Sequence, residues 1–485
     1  MSMTRLPPVC LLTLLLAPLG CTGKGPAPGA RTEAQAQAGA QAQLQPGAPV
    51  EAVASAEARP LSRSTGVVAL EVVPQFERVD LRKLPQDLNL LVRLRGEGTA
   101  AKERPPLDLA VVLDRSGSMS GDKILAVKQA ALDLLKELKP MDRLTLISYS
   151  DDVTVHVERL TMDGAGADTV RAQVLPIQPT GGTALGPGLI RGLELLTQAK
   201  RSERELAHLM LFSDGQANIG EKDPEVLGVR AAEGFKLGAS VSTLGVGLDY
   251  NEDLMTRIAD QGGGRYHFIK SAEEVSRVLA DELAGLVSTA ASGIQLELRP
   301  APGVTVARVF GYPVRSEQGA TRVAIGSIAA SQVRELIVRV HVGAASGEEV
   351  ALGVLGMSFT DLTRDGKPGQ VELALALKTS RDDAEIRGSE RTEVTVRLAE
   401  VESAEQLQLA AQAVESGNYD GAQQVIGASL KALQAQHSAT PSPKLQQQID
   451  DLNAASAGVD RARNNIEEEK IFKKSAKAKA CSKMK

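Results

Sequence analysis

The chain has 485 residues, a formal net charge of −5 at pH 7, no Trp, seven Phe and five Tyr. At roughly 150 residues per domain this length suggests about three folded units. The acidic balance argues against nucleic acid as a partner, since that partner needs basic surface. The shortage of rings argues against recognition by aromatic stacking and leaves Leu, Val, Ile and Ala to build the cores.

Residues 1–20 read as a signal and not as fold. Arg5 gives a basic start, and 9–19 is an apolar run too short to span a bilayer comfortably. Gly20-Cys21 follows, which resembles a bacterial lipoprotein signal, although Pro18 stands where that pattern has Leu. The resemblance implies lipidation of Cys21. Thr22 after the Cys, in place of Asp, fits onward sorting to the outer membrane. The alternative is an ordinary secretory signal with an incidental Cys. Cys10 lies inside the signal, so Cys481 would be the remaining thiol and no intrachain disulfide is expected. No later segment is apolar and long enough to cross a membrane.

Residues 21–62 are rich in Ala, Gln, Gly and Pro, with few large apolar side chains to bury, and read as a disordered tether. About 40 such residues would typically reach on the order of 35 Å. The segment 63–104 carries β-rich runs at 67–73 and 88–94, split by Pro85-Gln86-Asp87. From 105 to 288 strands and helices alternate. Strands are predicted at 109–113, 144–149, 206–212, 241–245 and 266–269, with an edge strand at 153–157. Helices are predicted at 122–138, where Pro140 stops the run, and at 185–196, 224–237, 252–260 and 272–286. The alternation implies a mostly parallel, doubly wound sheet with helices on both faces.

Strands return over 289–399, at 294–298, 304–309, 322–325, 333–342, 350–359, 371–376 and 392–398, and read as a β-sandwich. The 63–104 strands are expected to join it, so that the α/β unit is inserted in the sandwich. A helical hairpin is expected over 400–436, around Ser416-Gly417-Asn418-Tyr419-Asp420. The last stretch, 437–485, is polar and Lys-rich. It reads as a solvated end, with contact to anionic lipid or polysaccharide as the alternative.

The chemistry gathers on three segments. Asp114-Arg115-Ser116-Gly117-Ser118 directly follows the first buried strand, and in a parallel sheet such loops share one edge, where ligands bind. One carboxylate and two hydroxyls on a tight loop offer the hard oxygens that Mg²⁺ takes. Thr180-Gly181-Gly182-Thr183 precedes a helix, and Phe212-Ser213-Asp214-Gly215 ends the most apolar strand, both at the same predicted edge. Asp114, Ser116, Ser118, Thr183 and Asp214 then supply oxygens from three loops.

Together these segments resemble the metal-ion-dependent adhesion site of von Willebrand factor type A domains, such as those of integrins and of inter-α-trypsin inhibitor heavy chains. The resemblance covers 105–288 and all five ligand positions. It implies a bound Mg²⁺ (or Mn²⁺ or Ca²⁺) approached directly by Ser116, Ser118 and Thr183. Asp114 and Asp214 would act through water, and a carboxylate from a protein partner would complete the shell. It also implies a non-enzymatic interaction or adhesion module. With the signal and tether it implies a lipid-anchored protein of the cell envelope, and a scaffold in the assembly of an envelope complex is the alternative. A hydrolase is the remote reading. A dehalogenase-type phosphatase needs Asp where Ser116 stands, residues 115–119 are not a Gly-x-Ser-x-Gly elbow, and His156, His208, His267, His341 and His437 are scattered in sequence.

Overall fold

The structure, a computed structural model, describes residues 61–97, 104–364 and 366–484. The signal, Cys21 and the tether up to residue 60 lie outside these residues. Strands β1 (Leu61–Ser64), β2 (Val68–Pro74), β3 (Arg78–Asp80) and β4 (Gln86–Gly96) come first. Next come β5 (Leu107–Asp114), α1 (Asp122–Glu137), β6 (Arg143–Tyr149), β7 (Val153–Thr161), α2 (Gly164–Val174), α3 (Leu185–Gln198) and β8 (Leu206–Ser213). They are followed by α4 (Pro224–Lys236), β9 (Ala239–Val246), α5 (Glu252–Gln261), β10 (Gly263–Ile269) and α6 (Val275–Val287). A second group of strands comprises β11 (Thr289–Pro300), β12 (Val304–Val309), β13 (Val314–Glu317), β14 (Ala320–Ala329), β15 (Val333–Val342), β16 (Glu349–Asp361) and β17 (Lys367–Ser380). Helices α7 (Asp383–Gly388), α8 (Thr392–Glu415), α9 (Tyr419–Ala439), α10 (Pro443–Ala462) and α11 (Ile466–Met484) end the chain.

Every residue of β5 and of β8 is buried, as continuous apolar runs require when both faces of a strand are covered. They sit at the middle of a six-stranded sheet in the order β10-β9-β8-β5-β6-β7. All neighbours are parallel except the β6–β7 edge pair. Helix α1 turns Ile124, Val127, Ala131 and Leu134 onto one face of this sheet, at the spacing of an amphipathic helix. Leu189, Leu193 and Leu196 of α3 cover the other face, with Ala231 of α4 and Ile258 of α5. Helix α4 is started by Asp223, which accepts from the amides of Glu225 and Val226, with Pro224 in the first turn.

The remaining strands form two sheets, β1-β2-β4-β15-β12 and β13-β14-β11-β16-β17-β3. Strand β4 pairs antiparallel with β2 and with β15, from Val333 opposite Arg95 to Val342 opposite Gln86. Alternate residues of the two strands, Leu88 to Leu94 and Leu336 to Val342, point into one core shared with Leu296, Leu355 and Leu373 of the second sheet. The chain therefore leaves the sandwich after β4 and re-enters it at β11, with the α/β layer between.

Residues 392–398, expected as a strand, instead open helix α8. Val394, Val396 and Leu398 do alternate. However, Val394 and Val401 are both fully buried against Leu91, Phe310 and Ile337, on the outward face of β4 and β15. Seven residues apart, the two valines share a stripe on a helix and would point to opposite faces on a strand. Residues 437–485 also differ from a solvated end. Helices α10 and α11 pack with α8 and α9 through Leu407, Ile426, Leu433, Leu445, Leu452, Phe472 and Met484. No helix among the described residues is long and apolar enough to cross a membrane.

The lysines of α11 are ion-paired within the protein. Lys470 reaches Asp249 at 2.6 Å, and Lys477 reaches Asp253 at 2.6 Å. Lys474 is buried and donates to Glu252 at 2.8 Å and to the Tyr250 carbonyl at 2.7 Å, so α11 docks on the start of α5. Removing one partner of such a pair leaves the other charge buried without compensation. Lys474→Met is expected to lower stability by about 3 kcal/mol. Urea denaturation of the two proteins measures this, and an unchanged midpoint would show that the pair does not hold α11 in place.

Candidate metal centre

The centre lies where the sheet changes direction. From β5 the chain goes to β6 on one side, and β8 lies on the other, so the loops after β5 and β8 open side by side at the carboxyl edge. Asp114 is the last residue of β5. Ser116 follows, and Ser118 lies in a single 3-10 turn, Gly117–Met119. Thr183 stands in the loop before α3, and Asp214 directly follows β8.

The structure brings together all five residues singled out from the sequence. The Ser116 and Ser118 hydroxyls are 3.0 Å apart, and Ser118 donates to Asp214 Oδ1 at 2.8 Å. Asp114 Oδ1 accepts the Ser116 amide at 2.8 Å, which fixes the start of the turn. Thr183 joins through Gly215. A Cβ built there would stand 3.0 Å from Ser118 Oγ and 3.5 Å from Thr183 Oγ1, so the missing side chain leaves a small cradle lined by both hydroxyls. Asp114, Ser116, Thr183 and Asp214 are buried, whereas Ser118 is exposed, so access is from one side.

Several neighbours that hold this geometry escaped the sequence reading. Ser213 donates to Asp114 Oδ2 at 2.9 Å. Tyr149, fully buried at the end of β6, donates to the Phe212 carbonyl at 2.6 Å and lies 3.3 Å from Asp114 Oδ2. Asn218 takes the Thr183 amide at 2.8 Å, and the Thr180 amide donates to the Arg115 carbonyl at 2.8 Å, tying the loops together. Asp151 accepts the Gly182 amide at 2.7 Å. Gly181 beside it has φ +67°, and a Cβ there would fall 2.2 Å from Asp151 Oδ2, so only glycine fits. One signal was available for Tyr149 and Asp151. The end of a neighbouring parallel strand must open at the same edge.

Burial pushes the Asp114 carboxyl above its usual range. Hydrogen bonds from Ser116 oppose this, and the nearby Asp214 charge adds to it. Burial, followed by the Asp114 charge, also drives the Tyr149 phenol well up and keeps it a donor. The Asp214 carboxylate is balanced by Lys123, whose Nζ lies 2.5 Å from Oδ2. Among the described residues no group of three or more His, Cys, Asp and Glu side chains is placed to hold a metal ion. The donor set here is two carboxylates and three hydroxyls, all hard oxygens of the kind Mg²⁺, Mn²⁺ and Ca²⁺ accept, and in chemistry and spacing it fits such an ion.

The histidines, scattered in sequence, are partly gathered in space. His208 lies 3.4 Å from Oε1 of the buried Glu282 and His267 3.0 Å from Oε2, and Ser242 donates to Oε1 at 2.6 Å. This cluster lines a cavity of about 400 Å³ that also touches β14, β15 and α11 and does not include the five centre residues.

Residues 108–281 match the sequence profile of the von Willebrand factor type A domain. The uncharacterized protein YfbK of Escherichia coli is 30% identical over 256 residues, which is 51% of this chain and 44% of that one. Inter-alpha-trypsin inhibitor heavy chain H3 of Rattus norvegicus is 29% identical over 197 residues, 40% of this chain and 22% of its own length. The chain thus spans less than half the length of either relative. A solved structure of a von Willebrand factor type A protein from Catenulispora acidiphila superposes with a TM-score of 0.66 at 16% identity, covering 82% of this chain and 91% of that one. That likeness is one of fold, and it extends past the α/β layer. Tyr149→Phe, which leaves the Phe212 carbonyl without this donor, is expected to cost about 1–3 kcal/mol. Thermal denaturation reads this directly, and no loss would remove Tyr149 from the support of the centre.

Proposed function

We propose that this chain, whose residues 108–281 match the von Willebrand factor type A domain, is a metal-dependent protein-binding module and not an enzyme. One observation carries the reading. Three loops bring the Ser116, Ser118 and Thr183 hydroxyls and the Asp114 and Asp214 carboxylates to a single cradle with one open side. The three hydroxyls are the direct donors in this proposal. Asp114 and Asp214 balance charge, each already held by other partners. The ion, Mg²⁺ or its Mn²⁺ or Ca²⁺ relatives, supplies a Lewis-acidic position that accepts an anionic oxygen.

The ligand this favours is a carboxylate on a partner protein, entering from the side where Ser118 is exposed. An esterase-like role for Ser118 finds less support. Its hydroxyl is engaged by Asp214 and Ser116, and neither is a histidine that could serve as a base. A protein anchored to the cell envelope by lipid at Cys21 is part of the same proposal, motivated by Gly20-Cys21 after the apolar run.

Titration calorimetry of the purified chain with Mg²⁺ and Mn²⁺ tests the centre. Thr183→Ala and Asp214→Asn are expected to weaken binding by about 10–100-fold. Equal affinity in both variants would sink the assignment. For the anchor, intact mass of the protein from membranes is expected to show a diacylglyceryl-modified N-terminal Cys21. An unmodified N-terminus at another residue contradicts it.

A further inference from the structure

Lys123 lies in the first turn of α1, and its charge is spent inside the candidate centre. Its Nζ is 2.5 Å from Asp214 Oδ2 and 3.4 Å from the Ser118 carbonyl. Asp214 is fully buried, with Oδ1 taken by Ser118 and Oδ2 by Lys123, so both carboxylate oxygens are engaged by the chain's own groups. The lysine itself is only partly covered, with 29% of its side chain exposed. On its other side stands the loop between β9 and α5. Gly247 has φ +80°, and a Cβ there would lie 3.3 Å from Lys123 Cε and 3.5 Å from Nζ. Asp249, in the same loop, is held down by Lys470 first and also feels the Lys123 charge. The lysine is therefore packed against Gly247, where any side chain would crowd it, and a second carboxylate, Asp249, stands in reach of its field.

A buried carboxylate with no counter-charge is costly, and at Asp214 the Lys123 ammonium offsets that cost. An ammonium and a divalent ion beside one carboxylate repel each other. We propose that Lys123 is a tethered cation that balances Asp214 in the metal-free protein and is displaced toward the Gly247–Asp249 loop when a divalent ion is taken up, so that it sets the affinity of the centre for metal. The inference rests on the metal-centre reading above. It adds that metal affinity is moderated by design: the empty state is a charge-balanced alternative with which the metal has to compete. Two ligands that exclude each other are linked reciprocally, and such couplings commonly amount to roughly 5–150-fold. The far side of the receiving loop is fastened by Lys470 and Lys474 of α11, and Gln216, two residues after Asp214, donates to the Asp249 carbonyl at 2.7 Å. The loop that would receive Lys123 is thus also the one that the C-terminal helix holds.

The test uses the full chain and the metal alone. Lys123→Met is expected to bind Mg²⁺ and Mn²⁺ on the order of tenfold more tightly by calorimetry. It should melt at a lower temperature without metal and gain more from saturating metal than the original protein. Lys123→Arg, which keeps the charge, should behave like the original. A second measurement needs no variant. The rate of reductive methylation at Lys123, followed by peptide mass spectrometry, should rise several-fold on adding Mg²⁺ and fall again with chelator. If the unaltered chain binds metal and Lys123→Met binds it equally or more weakly, or if the methylation rate ignores metal, the role given to Lys123 is overturned and the centre stands. If neither protein binds metal, the metal reading fails and takes this inference with it.

Discussion

Parallel pairing of β5 with both β6 and β8 is the constraint on which the candidate centre depends. Three fully or largely buried strands running the same way must end at one edge, and each must hand the chain to a loop there. Asp114, Tyr149 and Asp214 are the last or next residues of those strands, so the sheet sets their spacing. The strands can be that apolar because helices seal both faces. Polar groups are thus excluded from the layer and concentrated at its rim, where Ser213 and Tyr149 can satisfy Asp114.

Charge is buried repeatedly in this molecule, and three of the buried acids are met by a basic group. Asp214 meets Lys123, Glu252 meets Lys474, and Glu282 lies between His208 and His267. At Glu282 burial raises the carboxyl's affinity for a proton, yet the two histidines outweigh it and the group is held well below the usual range. Leaving these three unpaired would cost several kcal/mol each, whereas the buried Asp114, which has no cation beside it, is met by hydrogen bonds and pushed above its usual range. The centre differs from the other two in the nature of its counter-ion. At Asp214 it is a partly exposed lysine, whereas Lys474 is buried between α11 and the start of α5 and the histidines sit on strands.

The placement of the α/β layer has its own logic. Both of its ends are tied to the sandwich, at β4 and at β11, and α11 returns to clasp α5. An inserted layer held at several points keeps its free edge aimed in one direction relative to the rest of the fold. The fastening on the α5 side lies next to the β9–α5 loop, and Gln216 connects that loop to the strand-end loop of Asp214. A contact made far along the chain thus bears on the rim of the centre.

Much of this was legible in the residues alone. Continuous apolar runs marked the buried strands, helical spacing marked α1 and α3 to α6, and oxygen-bearing side chains after two strand ends and before one helix marked the five centre residues. Local chemistry suffices there because burial on two faces, helical periodicity and loop polarity are all written within about ten residues. Residues 392–398 show where that stops. Alternation of Val394, Val396 and Leu398 signals a strand, and only the distant surface of Leu91, Phe310 and Ile337 makes a helix the better burial. The lysines of the last segment are equally ambiguous, because a Lys is solvated or ion-paired according to whether an acid such as Glu252 is brought to it. The sequence by itself determined the layer type, the order of its elements apart from α2, and which oxygen-bearing residues fall in the loops at its carboxyl edge, since each depends on near neighbours along the chain. Tertiary structure alone decided which charges face one another, Lys123 on Asp214 and Lys474 on Glu252 among them. Such pairings join residues about 90 and 220 positions apart, and no local pattern encodes them.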